Sequence, residues 1–502
     1  MRKFLEIFLS HKIEIGLSLL WSLLFIVGLI NFTGSKLIYT IFSITSLLML
    51  LSGIFRQESY GYLFLVVFLW LGSWFKLNAS LLLSGHFLAE EAIGNFNGSA
   101  VAWDKVLWVV ICTNIGAIAG RFFYDLFHSK CPSKSAHAIA PAWYPAIRMW
   151  LWLGIITAAV VVAVVNTLLG IHQIGLAPNK ILPWPLNALI AWLLNVGFAV
   201  AIAVLIHWDL KSGIKIKLSL YAILGEAFLG ATSVMSRAVF LFHSIPQILA
   251  LNRTIGIFQK YSRMHILLFA TTLGSLFFIS IVTTSLFRDY KYADSKAVRM
   301  PAPNIVPNSQ GIVSIKSAAP DPTDSKEQIS SLRFQLLRQL VVNRWIGLEG
   351  VMAVSSFPDK SFFLLWEILT EKREIGKVSA YQKVSNSGYQ VTDIHYQFAA
   401  IPGISGFLYF SGSLWLVFFG TGAFAVFAIL TERMVFLLNG NPLLCSFYGV
   451  LIANTIAQFG LTPRQDIPQF LMLYAAVLVI WAVQTRSFSS MIEKLGTYRG
   501  HA

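Results

Sequence analysis

The stretch Met149–Gly170, MWLWLGIITAAVVVAVVNTLLG, decides the class of this protein. It carries no charge, and a helix needs only about 20 mainly apolar residues to cross a hydrocarbon core of roughly 30 Å. The same ruler moved along the chain finds twelve candidate spans. They lie near 14–31, 37–54, 60–76, 103–120, 149–170, 184–207, 218–236, 238–252, 264–287, 404–430, 434–460 and 467–485. The seventh and eighth share one apolar stretch interrupted around Ser236-Arg237. The first follows Met1-Arg2-Lys3 and has no small-x-small cleavage site after it, so it reads as a retained helix rather than a signal peptide.

Composition says the same. Of 502 residues, 56% are hydrophobic and 12% charged, with mean hydropathy +0.68. Soluble chains carry about 25% charge, so this one cannot cover its apolar residues with a polar shell and needs lipid. A net charge of +15 would suggest nucleic acid on a soluble domain, but on so apolar a chain it does not. Disorder, a coiled coil and a disulfide scaffold are excluded on the same grounds. Cys112, Cys131 and Cys445 are widely spaced, without a CxxC pair or a metal-ligand pattern.

Lysine and arginine mark cytoplasmic loops. With the N-terminus inside, eighteen of the thirty-eight basic residues fall inside and six in the short outer segments. The other fourteen lie in one long outer segment. The expected fold is all-α and membrane-integral: spans 1–9 over residues 1–287, a large periplasmic loop over 288–400, and spans 10–12 with a tail over 401–502. Both termini are then cytoplasmic. No internal repeat is visible.

A loop of that length usually carries function. Met300–Ser325 is rich in proline and reads as linker. Glu327–Val354 has helical apolar spacing at Ile329, Leu332, Leu336 and Leu340; Ser355–Asp359 breaks it, and a second amphipathic helix is expected over Ser361–Arg373. Together they would form a lid or shelf beside the outer leaflet.

Charges at a membrane edge are the candidate chemistry, since each costs roughly 2.5–3.5 kcal/mol at a helix centre. Arg237 sits between apolar runs, either snorkelling to headgroups or facing a cavity as an anion site. Glu226, eleven residues earlier, would share a face with it on one helix, about 16 Å away along the axis. Arg333, Arg338 and Arg344 line the first loop helix, where guanidiniums can grip a phosphate bidentately or merely face solvent. Glu349 could orient Arg344 or act as a base. Asp393-Ile394-His395-Tyr396 precedes the tenth span, and His395 could be a base or an ordinary interfacial residue. His86 with Glu90 and Glu91 has spacing for a short helix, better suited to sugar binding than to metal. There is no Walker A motif, dinucleotide turn or nucleotide-sized soluble module, so any substrate would be preactivated and membrane-resident.

The Ser236-Arg237-Ala238 turn, the long outer loop and His395-x6-Pro402-x3-Gly406-x5-Gly412 resemble the Wzy-type polysaccharide polymerases, of the superfamily that includes the O-antigen ligases. The motif is most similar to the enterobacterial common antigen polymerase group, and the likeness covers roughly Leu218 to Arg433. It implies a GT-C-type glycosyltransferase of the bacterial inner membrane, serving cell-envelope polysaccharide biosynthesis without metal or other cofactor. The donor would be a glycan on undecaprenyl pyrophosphate, transferred to an acceptor sugar hydroxyl with release of undecaprenyl pyrophosphate. A chain-length regulator protein would be a further partner, beside membrane lipids, and nucleic acid would not. On this likeness Arg237, Arg344, Arg333 and Arg338 hold the pyrophosphate, and His395 or Glu349 takes the proton. Glu90, Glu91, Asp393 and Tyr396 would contact the acceptor. The arginine-x10-glycine motif of some polymerases is missing, because Arg344 and Glu349 stand eleven residues after Arg333 and Arg338. The ligases' His-Asn run is absent too, as Tyr396 follows His395. Rival readings are a ligase-like transfer to another acceptor, a polyprenyl-monophosphate sugar transferase with Glu90 or Glu91 as base, and a glycolipid transporter or flippase. The last would be expected to show a repeat and a polar path through the spans.

Overall fold

The computed structural model describes residues 12–55, 59–87, 89, 93–128, 140–176, 178–183, 185–214, 217–294, 342, 345–372, 379–386, 401–460 and 463–484. Among them the regular structure is helical, without a strand. The long helices of the first part are α1 (Lys12–Asn31), α2 (Lys36–Phe55), α3 (Tyr60–Ser84), α4 (Ala100–His128), α5 (Tyr144–Leu169), α6 (Leu186–Lys211), α7 (Lys217–Ser233), α8 (Arg237–Ile255) and α9 (Arg263–Asp294), with a single helical turn at Ile257–Lys260 between the last two. Three short ones follow, α10 (Leu348–Ser356), α11 (Phe362–Thr370) and α12 (Ala380–Val384). Last come α13 (Gly403–Tyr409), α14 (Leu414–Asn439), α15 (Pro442–Ala457) and α16 (Pro463–Gln484).

Seven helices, α2 to α6, α9 and α14, are long and apolar enough to cross a membrane. The other five apolar stretches hold α1, α7, α8, α15 and α16, which fall short of a full apolar span over their described residues. Large apolar side chains on α5 and α9 face outward, as lipid-facing helices require: Leu168 is 77% exposed and Phe278 66%. This is an all-α membrane protein.

Lipid is as apolar as leucine, so helix association inside a bilayer depends on close packing and buried hydrogen bonds. Glycines supply the first. A Cβ on Gly120 of α4 would lie 2.4 Å from the carbonyl oxygen of Gly422 on α14, and one on Gly116 2.3 Å from that of Phe418. One core joins α1–α4 with α10–α14 and the later turns of α15; the other joins α5–α9 with α16, the first turns of α15, Tyr60 of α3 and Val435 of α14. The basic residues that the charge count places inside meet across helices. Arg253 of α8 lies over the Tyr60 ring at the start of α3, 4.5 Å from its centroid, and Arg433 of α14 donates to Tyr124 of α4 at 2.8 Å. Beside Arg433, Glu432 accepts from Ser59 Oγ and the Gly61 N–H at 2.6 and 2.7 Å. At the α5–α6 end Asp209 is fully buried, held by Arg148 through two hydrogen bonds of 2.6 and 2.9 Å and by Tyr144.

Two helices contain a π-turn, Leu71–Phe75 in α3 and Leu193–Gly197 in α6. Such bulges free backbone groups from the regular ladder and often mark functional positions.

Three expectations need correction. The chain turns at Val234–Ser236, where Met235 has φ 57°, so Glu226 and Arg237 lie on the two arms of a hairpin and not on one helix face. The expected first loop helix is described only over Leu348–Ser356, and there it is no surface shelf: Leu348 to Val354 are all buried. Gly350 explains how it enters the core, since a Cβ there would meet the Pro402 carbonyl oxygen at 2.0 Å. Finally, α3 ends at Ser84 on a left-handed Gly85, leaving His86 exposed and outside any helix. The second loop helix forms as expected, with Ser361 Oγ accepting from the Leu364 N–H at 3.1 Å, and it exposes Phe362, Phe363 and Trp366.

Candidate functional site

The α7–α8 hairpin collects the polar groups that an apolar bundle would otherwise exclude. At its turn Arg237 opens α8, and its guanidinium donates to Ser285 Oγ of α9 at 2.8 Å. One turn further along α9, Arg288 donates to the Ile174 carbonyl at 3.1 Å. The loop after α5 is tied to the same place, because the Ile174 N–H donates to the Val234 carbonyl at 2.9 Å. Asn166 closes this end: its Nδ2 donates to the Ser233 and His172 carbonyls at 2.9 and 3.0 Å. Its Oδ1 accepts from the His172 N–H at 2.8 Å.

Deeper in the hairpin, Glu226 and His243 face each other across α7 and α8. His243 Nδ1 lies 2.9 and 3.1 Å from the two carboxyl oxygens, and both residues are buried. His243 Nε2 lies 3.0 Å from the Asn195 carbonyl in the α6 π-turn. A carbonyl only accepts, so Nε2 carries the hydrogen. The Asn195 side chain continues outward, its Nδ2 donating to His172 Nε2 at 2.8 Å. Burial holds His172 below the ordinary histidine value, so it is a neutral imidazole with its hydrogen on Nδ1. A polar chain thus runs from the hairpin core to the loop that Arg288 holds.

Of the candidate residues named from sequence, Arg237, Glu349, Glu226 and His86 fall among those described. Glu90, Glu91, Arg333, Arg338, Arg344, Asp393, His395 and Tyr396 lie outside them. Glu349 does not stand ready as a base. It is buried in the first turn of α10 and forms an ion pair with Lys76 of α3 at 2.5 Å, while Lys76 also donates to the Trp345 carbonyl at 2.9 Å. A carboxylate held that way anchors α10 beside the α3 π-turn. The motif glycines act nearby in packing: a Cβ on Gly406 would lie 3.0 Å from the Gly350 backbone.

Sequence reasoning passed over His172, Asn195, His243, Arg288 and Lys76. For His243 there was a signal. Glu226 lies nine residues before Met235 and His243 eight after, so a turn there brings the two level. Among the described residues no group of three or more His, Cys, Asp or Glu side chains is placed to hold a metal ion.

Compared with protein-family models, curated proteins and solved structures, the chain finds no match in any of the three.

Proposed function

We propose that the chain is a membrane glycosyltransferase that polymerises undecaprenyl-pyrophosphate-linked repeat units at the outer face of the bacterial inner membrane. The observation that carries this reading is the position of Arg237 and Arg288. Two guanidiniums from neighbouring helices sit at one end of the apolar bundle, oriented by Ser285 and the Ile174 carbonyl. A leaving lipid pyrophosphate develops charge at the membrane edge, and preoriented arginines stabilise that charge best where water is sparse. In this reading twelve spans put the 288–400 segment outside, where Arg333, Arg338, Arg344 and His395 would complete the site. Glu349 is the poorer base because Lys76 holds it, which leaves His395 as the acceptor of the hydroxyl proton.

The test is reconstitution with a synthetic undecaprenyl-pyrophosphate repeat unit, read as a ladder on a gel. Arg237→Ala should lower polymerisation by about a hundredfold or more, as loss of one oriented donor to a developing anion does, with the protein still in the membrane. A normal ladder from Arg237→Ala would sink the site. Single transfer to a foreign acceptor would move the assignment to a ligase.

A transporter or flippase is the second reading, favoured by one observation: the Glu226–His243–Asn195–His172 chain, buried at its Glu226–His243 end, is a polar path from between the helices to the loop after α5. Movement of the glycolipid across vesicles without transfer would establish it over the first.

A further inference from the structure

We propose that Glu226, His243 and the Asn195 carbonyl form a proton-binding site whose occupancy holds the α7–α8 hairpin shut against α6. His243 Nε2 already gives its hydrogen to the Asn195 carbonyl at 3.0 Å. Between Nδ1 and the carboxyl group there is room for one more, at 2.9 and 3.1 Å from the two oxygens. With that proton present the pair is neutral overall, either as acid and imidazole or as carboxylate and imidazolium, and the two forms belong to the pair as a unit. Without it, one imidazole hydrogen must serve two acceptors, so either the carboxylate faces the Nδ1 lone pair or the Asn195 carbonyl faces the Nε2 lone pair, with a net negative charge on a pair 5% and 1% exposed. The proton is therefore a component of the closed hairpin, and its loss favours separation of the two arms.

The surroundings suit such a site. Among the described contacts, His243 meets the edge of the Phe447 ring from α15, 5.4 Å between centroids. Gly230 of α7 lets the helices close beside the imidazole, since a Cβ there would lie 3.3 Å from Val239 Cγ1, 3.5 Å from the Leu194 carbonyl oxygen and 3.7 Å from His243 Cε1. Other titratable or charged groups on the packed elements include His207, Asp209 and Lys211 of α6, Lys217 and Tyr221 of α7, Arg253 of α8, and Cys445 and Tyr448 of α15, with His172 reached through Asn195 and Arg237 and Arg288 at the hairpin turn. Three residues after His243, Pro246 interrupts the α8 hydrogen-bond ladder and supplies a hinge. Because Arg237 is the first residue of α8, opening would carry it away from Ser285. The inference does not depend on what Arg237 binds.

The experiment uses the full chain in phosphatidylcholine–phosphatidylglycerol vesicles, with Cys112, Cys131 and Cys445 replaced by alanine. Ala231, fully buried in the hairpin interface, is changed by Ala231→Cys, and exposed Ala238→Cys in a second protein serves as the reference. The ratio of their labelling rates with a membrane-permeant maleimide removes the thiol's own pH response. Starting from an open state populated at about a tenth or less, the ratio should rise at least about fivefold from the acid to the alkaline end of the pH range. Glu226→Gln supplies an N–H where the shared proton sits and has none to lose, so its ratio should stay low throughout. Glu226→Ala should label fast at every pH. A flat ratio in the otherwise unchanged hairpin, a rise in Glu226→Gln equal to it, or slow labelling of Glu226→Ala would each overturn the proposal.

Discussion

Where α4 crosses α14, backbone touches backbone; where α5 meets α7, side-chain nitrogens and oxygens fill the gap. The glycines show the difference. Gly72, Gly116, Gly120 and Gly350 would each drive a Cβ into a neighbouring backbone carbonyl, whereas Gly154, Gly225 and Gly274 of α5, α7 and α9 would meet nothing within 4 Å. The second group of helices is held instead by groups such as Asn166, Ser233, Asp209 and the Glu226–His243 pair. A region locked by interpenetrating backbones has one arrangement. A region held by a few hydrogen bonds can exchange partners, so the device that moves belongs there.

The largest expected effect is at the buried ion pair that fastens α10. Glu349→Gln should cost about 3–5 kcal/mol by removing the carboxylate that balances the buried Lys76 charge, seen as early thermal unfolding in detergent. Lys76→Met combined with Glu349→Leu should recover most of that loss; if it does not, Glu349 does more than pair. Next comes Gly120→Ala, expected to cost about 1–3 kcal/mol through backbone displacement. Gly154→Ala in the open α5 should cost nothing or gain up to about 1 kcal/mol from helix propensity. Equal responses from the two glycines would erase the contrast. Ser233→Ala should cost about 1 kcal/mol, because Asn166 Nδ2 and the Ala163 carbonyl each lose a partner. The smallest effect is a pH dependence at His172. Its folded form resists protonation while the unfolded form titrates near the ordinary value of about 6.5. Stability should therefore fall as the pH drops below that value, towards the lower folded-state one, and His172→Gln should flatten that part of the curve.

Much of the helical layout was legible because apolar length and breaking residues are local signals. The Ser355–Asp359 break and the Ser361 cap appear where the side chains dictate them, since Ser361 needs only its own chain to bond the Leu364 N–H. Little of the site was legible. Lys76 and Glu349 are paired across most of the chain, and nothing near either announces the other. Arg237 stood out by its charge among apolar neighbours, but its partner Ser285 is one of many serines. Glu226 looked like a companion of Arg237 because the reading kept one helix through Met235, and a positive φ at a methionine has no marker in composition. His243 was hidden by the same assumption.

The two π-turns carry a consequence for the length of the chain itself. Each accommodates about one residue more than a regular helix would, so each acts as a spacer in the reading of its helix. Remove one residue from Leu193–Gly197 and α6 can relax to an ordinary helix whose two ends keep their facing, whereas one residue removed from the regular turns of α6 after it would rotate everything beyond by about 100°. Asp209 would then point away from Arg148 while the first turns of α6 kept their place. In the same way a residue removed from the regular turns Tyr60–Trp70 of α3 would swing Lys76 off Glu349, whereas one removed from Leu71–Phe75 would not. Substitutions change one contact at a time, whereas the count of residues in these two helices decides which inner surface the bundle has at all.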